Sequence, residues 1–315
     1  MPGLAVLCSG QGKQSYESFA GLLRYPELEV LFLHFMNSGI VPRKLEKYLN
    51  SPSDNPKLIF DNEVAQPFIV MQQIMIWELI KNIIPEVQVF AGYSLGELSA
   101  YGLSGIIGYD DLLRLAALRG RLMSASANPP QKMAAVIGIR KNILENICTE
   151  NSAFISIINS ENHFVCGMAA DSLKKFTEKC RSSGAEKIVE LPISIASHSP
   201  YMKNAALEFE KELCRTSFLS SGSGILSGID GEKLFSKENM ISTLTNQIAS
   251  TIDWRACMES ALSYGCRVFI ETGPGNALCK MLLEAFSETE ARSISDFNDI
   301  RMIKNWADTA IRRQS

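Results

Sequence analysis

Histidine is scarce in this chain: only His34, His163 and His198 occur among 315 residues. The eight cysteines are scattered, with no C-x-x-C pair and no clustered histidines. A zinc site and a disulfide frame are therefore excluded, and the cysteines read as reduced thiols of a cytoplasmic protein. No apolar run approaches the roughly 18 residues of a membrane span. The opening Met1-Pro2-Gly3-Leu4-Ala5-Val6-Leu7-Cys8 lacks a basic stretch and is too short in its apolar part for a secretion signal. Charge of one sign is missing too. A net charge of −3, with 21% charged residues, argues against broad nucleic-acid binding. Internal repeats and low-complexity segments are absent.

What remains is an ordinary globular composition, 46% hydrophobic, in a chain longer than one core usually needs. Leu4 to Cys8 reads as a buried strand ending in the polar glycine turn Ser9-Gly10-Gln11-Gly12. Val64, Phe68, Met71, Met75 and Leu79 recur at helical spacing, predicting an amphipathic helix over 63–82. Asp110-Asp111 opens another helix that runs through Arg119 to about Ser124. Asn128-Pro129-Pro130 is the clearest internal break, and after it the pattern becomes βαββαβ. Strands are expected at 133–139, 154–158, 163–167 and 187–191, with helices at 141–148 and 171–182. This is the order of a split-βαβ, ferredoxin-like unit. The expected division is a core formed by 1–128 and 197–315 with an insertion of about 70 residues at 129–196.

One pentapeptide carries chemistry. Gly92-Tyr93-Ser94-Leu95-Gly96 follows the alternating segment Val87 to Ala91 and precedes Glu97-Leu98-Ser99-Ala100, which reads as a first helical turn. A serine on such a strand-to-helix elbow is a candidate nucleophile, and flanking glycines keep its hydroxyl uncovered. The base must come from three histidines. His198 follows directly on the small unit, at a junction where clefts form. His163, beside Phe164 and Val165 on a strand, reads as a packed or edge residue, and His34 as helix filler. An α/β-hydrolase triad runs Ser, Asp/Glu, His with the histidine late, yet no histidine follows His198, which weakens an esterase reading. Gln11 fits either a simple turn or a loop facing a reacting centre. Arg119 fits either a solvated charge or a carboxylate grip, and periodicity does not separate it from Arg114 or Arg121.

Seven ordered segments make the chain resemble the malonyl-CoA:acyl-carrier-protein transacylase family along nearly its whole length. They are Ser9-Gly10-Gln11-Gly12-Lys13-Gln14, Gln66-Pro67, Gly92-Tyr93-Ser94-Leu95-Gly96-Glu97, Leu118-Arg119-Gly120, Ser197-His198, Gln247 ahead of Asp253-Trp254, and Gly273-Pro274-Gly275. Tyr93, in a position where most of the family has histidine, resembles the malonate decarboxylase epsilon subunit branch. So do Ser227-Gly228-Ile229-Asp230-Gly231, Ile252-Asp253-Trp254 and the segment Ala291 to Phe297. The resemblance implies an α/β fold: an α/β-hydrolase-like core with an inserted ferredoxin-like small domain.

It also implies a reaction. Ser94 would be the nucleophile and His198 its base, oriented by a backbone carbonyl near Gln247. The N–H groups of Leu95 and Gln11 would form the oxyanion hole. Arg119 would grip a malonyl carboxylate, with Tyr93, Ser197 and Gln66 completing the substrate site. No metal or bound cofactor is implied, because malonyl-CoA brings the reactive thioester. The implied partners are malonyl-CoA, an acyl carrier protein with a CoA-derived thiol arm, and the subunits of a malonate decarboxylase. The alternatives are a general fatty-acid or standalone polyketide transacylase, and a serine thioesterase. Carrier proteins are acidic, so Lys132, Lys141, Lys174, Lys175, Lys179 and Lys187 are candidates for a basic dock.

Overall fold

Gly3–Cys8, a run of almost entirely buried residues, becomes a central strand of a six-stranded sheet. The computed structural model describes residues 2–315; Met1, the first residue of the expected core segment, lies outside them. Among the described residues the strands are β1 Gly3–Cys8, β2 Val87–Gly92, β3 Gln131–Ile137, β4 Phe154–Ser160, β5 His163–Ala169 and β6 Lys187–Glu190. They continue with β7 Gly224–Leu226, β8 Lys233–Leu234, β9 Ile252–Asp253, β10 Cys266–Thr272 and β11 Glu290–Ser293. The larger sheet has the order β11-β10-β1-β2-β7-β8 and is parallel except at the β7–β8 edge. Leu4, Val6 and Cys8 of β1 belong to one apolar cluster, Ala5 and Leu7 to a second beside Trp254 and Leu278. A parallel strand covered on both faces has to be apolar throughout, which is why β1 was legible as a strand.

The helix expected over 63–82 is present as Asn62–Ile80, capped by Asp61, whose carboxylate accepts from the Glu63 N–H at 3.0 Å. It is not amphipathic. Ile69, Val70, Ile74 and Ile76 fill the faces between the expected stripe, and the helix is buried on nearly every side. Gln66, Gln72 and Gln73 are buried with it, so its polar residues serve as internal hydrogen-bond anchors rather than as a solvated face.

The second sheet has the order β6-β3-β5-β4-β9. Its first four strands alternate with the helices Lys141–Glu150 and Leu173–Ser182 in the expected ferredoxin-like order, giving an α/β core with a small ferredoxin-like unit. Ala134, Val136, Phe164, Cys166 and Met168 face those two helices, whereas Met133, Ile157 and Val165 join the apolar cluster of the larger sheet. The fifth strand, β9, comes from outside 129–196 and pairs parallel with β4 through Ile157 and Ile158. A two-residue edge strand has no period to detect, so nothing in the sequence pattern marks β9. No helix among the described residues is long and apolar enough to cross a membrane, and none of their His, Cys, Asp and Glu side chains cluster in threes to hold a metal ion.

Candidate active site

Backbone geometry makes the elbow. Between β2 and the helix Leu95–Leu103, Ser94 has φ 56° and ψ −113°, outside the regions that L-residues ordinarily occupy. The flanking glycines are required by close approach: a Cβ on Gly92 would run into the Gly96–Glu97 peptide, and one on Gly96 into the Cys8 carbonyl. Tight packing at both ends therefore holds the strained turn in place.

His198 also has a positive φ, 58°, and its N–H donates to the Ile248 carbonyl at 3.0 Å. Its Nε2 lies 2.7 Å from Ser94 Oγ, and its Nδ1 lies 2.6 Å from the carbonyl oxygen of Gln247. A carbonyl can only accept, so Nδ1 carries the proton and Nε2 is left to accept from the serine hydroxyl. Burial, and secondly the nearby Arg119 cation, push the imidazole down to about 3, against the partial support of the Gln247 carbonyl. The imidazole is neutral at physiological pH.

The loop carrying Gln11 is fixed from several sides. Ser9 Oγ donates to the Thr272 carbonyl at 3.0 Å, and Gln73 Nε2 donates to the Ser9 carbonyl at 2.8 Å. The Gly12 N–H donates to Gln14 Oε1 at 2.7 Å, and Gln11 Nε2 to Asn62 Oδ1 at 2.9 Å. The loop packs so closely on the elbow that a Cβ on Gly10 would lie 2.7 Å from the Tyr93 carbonyl oxygen. Leu95 is the first residue of its helix, where N–H groups have no intrahelical partner.

Arg119 is almost fully buried, and its Nη1 and Nη2 donate to Gln66 Oε1 at 3.0 Å and Gln247 Oε1 at 3.1 Å. Both acceptors are neutral amides, which leaves further N–H groups of the fork without an acceptor among the described residues. Burial lowers its pKa to about 10, so it remains a cation. The opposing charge acting on it is that of Glu97, also completely buried. Glu97 Oε2 accepts from Gln247 Nε2 at 2.7 Å, while burial raises its pKa to about 7 against the Gln247 and Gly228 donors and Arg119.

A cavity of about 290 Å³ opens over Ser94 and His198. Ser9, Gly10, Gln11, Tyr93 and Ser197 line it from the core, and Met133, Asn159, His163 and Val165 from the inner face of the small sheet. Arg119, Gln66, Leu95 and Gln247 do not line this cavity. A wider groove of about 930 Å³ reaches His198 from another side, between Phe154 and Ile155 of β4 and Ser250, Thr251 and Asp253. Tyr93, half-buried, packs edge-on against Trp254, ring centroids 5.5 Å apart, and lines the cavity together with Asn159.

His163 differs from its expected role as a packed or edge residue. It sits at the start of β5 with its imidazole half-buried on the cavity, Nε2 3.4 Å from Asn159 Nδ2. His34 is on the surface, 2.8 Å from Asp110. Glu97 went unrecognised as part of the site, although an acid among Leu95, Leu98, Ala100 and Tyr101 on a short apolar helix is a signal the sequence did contain. Of the candidate basic dock, Lys132, Lys141 and Lys179 are tied to Glu190, Glu145 and Glu150.

The sequence pattern of the acyl transferase domain matches residues 44–310. The Malonyl CoA-acyl carrier protein transacylase of Haemophilus influenzae is 26% identical over 249 residues, covering 77% of this chain and 80% of the relative. That of Bacillus subtilis is 26% identical over 326 aligned positions, covering 98% of this chain and 78% of the relative. Among solved structures, the malonyl CoA-acyl carrier protein transacylase of Coxiella burnetii aligns with a TM-score of 0.88 at 22% identity, covering 98% of both chains. A malonyl-transacylase solved in complex with its type II PKS acyl-carrier protein aligns with a TM-score of 0.87 at 23% identity, covering 96% of this chain and 98% of that one.

Proposed function

The chain belongs to the acyl transferase domain family, and from that premise we propose that it moves a malonyl group from malonyl-CoA to the thiol arm of an acyl carrier protein. The observation that carries the reading is the Ser94–His198–Gln247 carbonyl relay standing beside a buried arginine whose side-chain partners are neutral amides. A hydrolase of neutral esters has no use for such a cation, whereas a carboxylated acyl group does.

The steps follow from the geometry. Ser94 Oγ attacks the thioester carbonyl while His198 Nε2 takes its proton. The N–H groups of Leu95 and Gln11 stabilise the oxyanion, an effect of about 3 kcal/mol per donor. Collapse breaks the C–S bond, and CoA leaves as a thiol with the proton from His198. The weak basicity of a buried imidazole favours that return. The carrier thiol then gives its proton to His198, attacks malonyl-Ser94 and regenerates the serine. Arg119 pairs with the malonyl carboxylate through its remaining N–H groups, assisted by Gln66, with Tyr93 and Ser197 shaping the acyl end of the cavity.

Two carriers fit this reading. The relatives' names support a general or PKS-type acyl carrier protein. Tyr93, packed on Trp254 in a position where most of the family has histidine, supports the carrier subunit of a malonate decarboxylase. Intact mass spectrometry after mixing with malonyl-CoA tests the shared chemistry: a malonyl adduct is expected on the wild type and none on Ser94→Ala. An adduct that survives in the variant overturns the nucleophile assignment. Transfer from the loaded enzyme to each carrier distinguishes the two acceptors, and free malonate released faster than either transfer means a thioesterase.

A further inference from the structure

Gln247 is hydrogen-bonded to four members of the site, Ser94, Glu97, Arg119 and His198. Its carbonyl accepts from His198 Nδ1, its Nε2 donates to the Ser94 carbonyl at 2.8 Å and to Glu97 Oε2 at 2.7 Å, and its Oε1 accepts from Arg119 Nη2 at 3.1 Å. A carboxamide is polar end to end, so its orientation decides whether Arg119 meets an acceptor or a donor. Both bonds that fix the orientation go from Nε2 to acceptors, the Ser94 carbonyl and Glu97 Oε2.

We propose that Glu97 is a positioning residue for acyl selection: its carboxylate sets the polarity of the Gln247 amide, which in turn aligns the Arg119 fork for the carboxylate of the acyl donor. The inference rests on the malonyl-transfer reading above. Glu97 is fully buried on the Leu95–Leu103 helix, three residues past Ser94, yet it touches neither Ser94 Oγ nor the cavity. Its other oxygen, Oε1, has no hydrogen-bond partner, so the Gln247 amide is the side-chain contact that anchors it. A buried carboxylate with so few partners is costly, and a neutral side chain would pack there more cheaply if packing were the whole role. The charged and titratable groups facing it are Tyr101 of its own helix, Arg119 and Cys257 of two other helices, and Asp230 of a turn.

With the carboxylate replaced by an amide, which can present an NH2 as well as an oxygen, the preference for the native Gln247 orientation is weakened and rests mainly on the Ser94 carbonyl. In the turned state the Gln247 NH2 faces the Arg119 fork, donor against donor, and the guanidinium loses one of its two side-chain anchors. Gln66 alone then holds it. Ser94 and His198 keep their own contact, because the Gln247 backbone carbonyl does not turn with the side chain. The defect is therefore specific to acyl groups that carry a carboxylate.

Single-turnover acylation of Ser94 by malonyl-CoA and by acetyl-CoA, followed by intact mass, tests this in wild type, Glu97→Gln and Glu97→Asp. Glu97→Gln should slow malonyl loading by about tenfold, leave acetyl loading within a few-fold, and so shift the malonyl-to-acetyl ratio. Glu97→Asp, which keeps the charged acceptor, should restore part of the ratio. Labelling of Ser94 by an uncharged phosphonate, unchanged in Glu97→Gln, controls for folding. Equal loss with both donors, or an unchanged ratio, overturns the positioning role. A wild type that accepts no malonyl overturns the parent reading, and this one with it.

Discussion

Ser94 and His198, whose side chains meet at 2.7 Å, are also, among the described residues, two of the three non-glycine residues with positive φ, at 56° and 58°. The pair is thus held together by backbone conformations that each side chain disfavours. The surrounding contacts, Gly96 against Cys8 on one side and the His198 N–H on Ile248 on the other, sustain both.

Ser94→Gly should therefore be more stable than the wild type by about 1 kcal/mol, since glycine accepts the elbow conformation without strain. Ser94→Ala keeps the strain and should match wild-type stability. Both variants should be inactive. Urea unfolding of the three proteins checks this, and a Ser94→Gly midpoint no higher than that of Ser94→Ala would remove strain from the account.

Arg119→Lys keeps the charge but loses the planar fork shared between Gln66 and Gln247. Loading with malonyl-CoA should fall on the order of 100-fold while acetyl-CoA loading falls far less, because a charge-assisted bidentate contact contributes a few kcal/mol. The kcat/KM values for the two donors measure it. Parallel losses would mean that Arg119 supports the fold rather than the acyl group.

Glu271, fully buried on β10, gives a pH prediction. Its Oε2 accepts from the Cys279 N–H at 2.9 Å, its Oε1 has no partner, and burial raises its pKa from 4.5 to about 7. Between those values the folded protein binds more protons than the unfolded one, so this group's contribution to stability falls as pH rises from about 4.5 to about 7. Glu271→Gln, which keeps an acceptor for Cys279, should match the wild type near pH 4.5 and exceed it by up to about 3 kcal/mol near pH 8. Denaturation curves at the two pH values decide it, and a gap of the opposite sign would show that the ionised carboxylate stabilises the helix start.

The elbow and the βαββαβ unit were readable because each is a local pattern: two glycines around one serine, and alternating periods between turns. The Gln66–Arg119–Gln247–Glu97 network was not, since its bonds join residues 53, 128 and 150 positions apart. Periodicity named three arginines on one helix, and only burial against Gln66 singles out Arg119. His163 was misplaced for a related reason: a histidine at a strand start looks the same whether the sheet face beside it is solvent or, as here, a cavity wall. The central helix was found but given the wrong face, because its stripe of spaced apolar residues hides the equally apolar residues between them.

The short strand β9 makes the small unit something other than a hinged lid. Two chain crossings near residues 130 and 195 already tether it, and β9 adds a third fastening. Ile252 and Asp253 pair with β4, the Thr251 hydroxyl donates to the Ile155 carbonyl at 2.7 Å, and Arg255 reaches Glu161 at 2.9 Å. These bonds leave from the stretch that begins four residues after Gln247. Swinging the roof away would tug on the carbonyl that steers His198, so room for a bulkier acyl group has to come from side chains such as Met133 and Tyr93 turning in place.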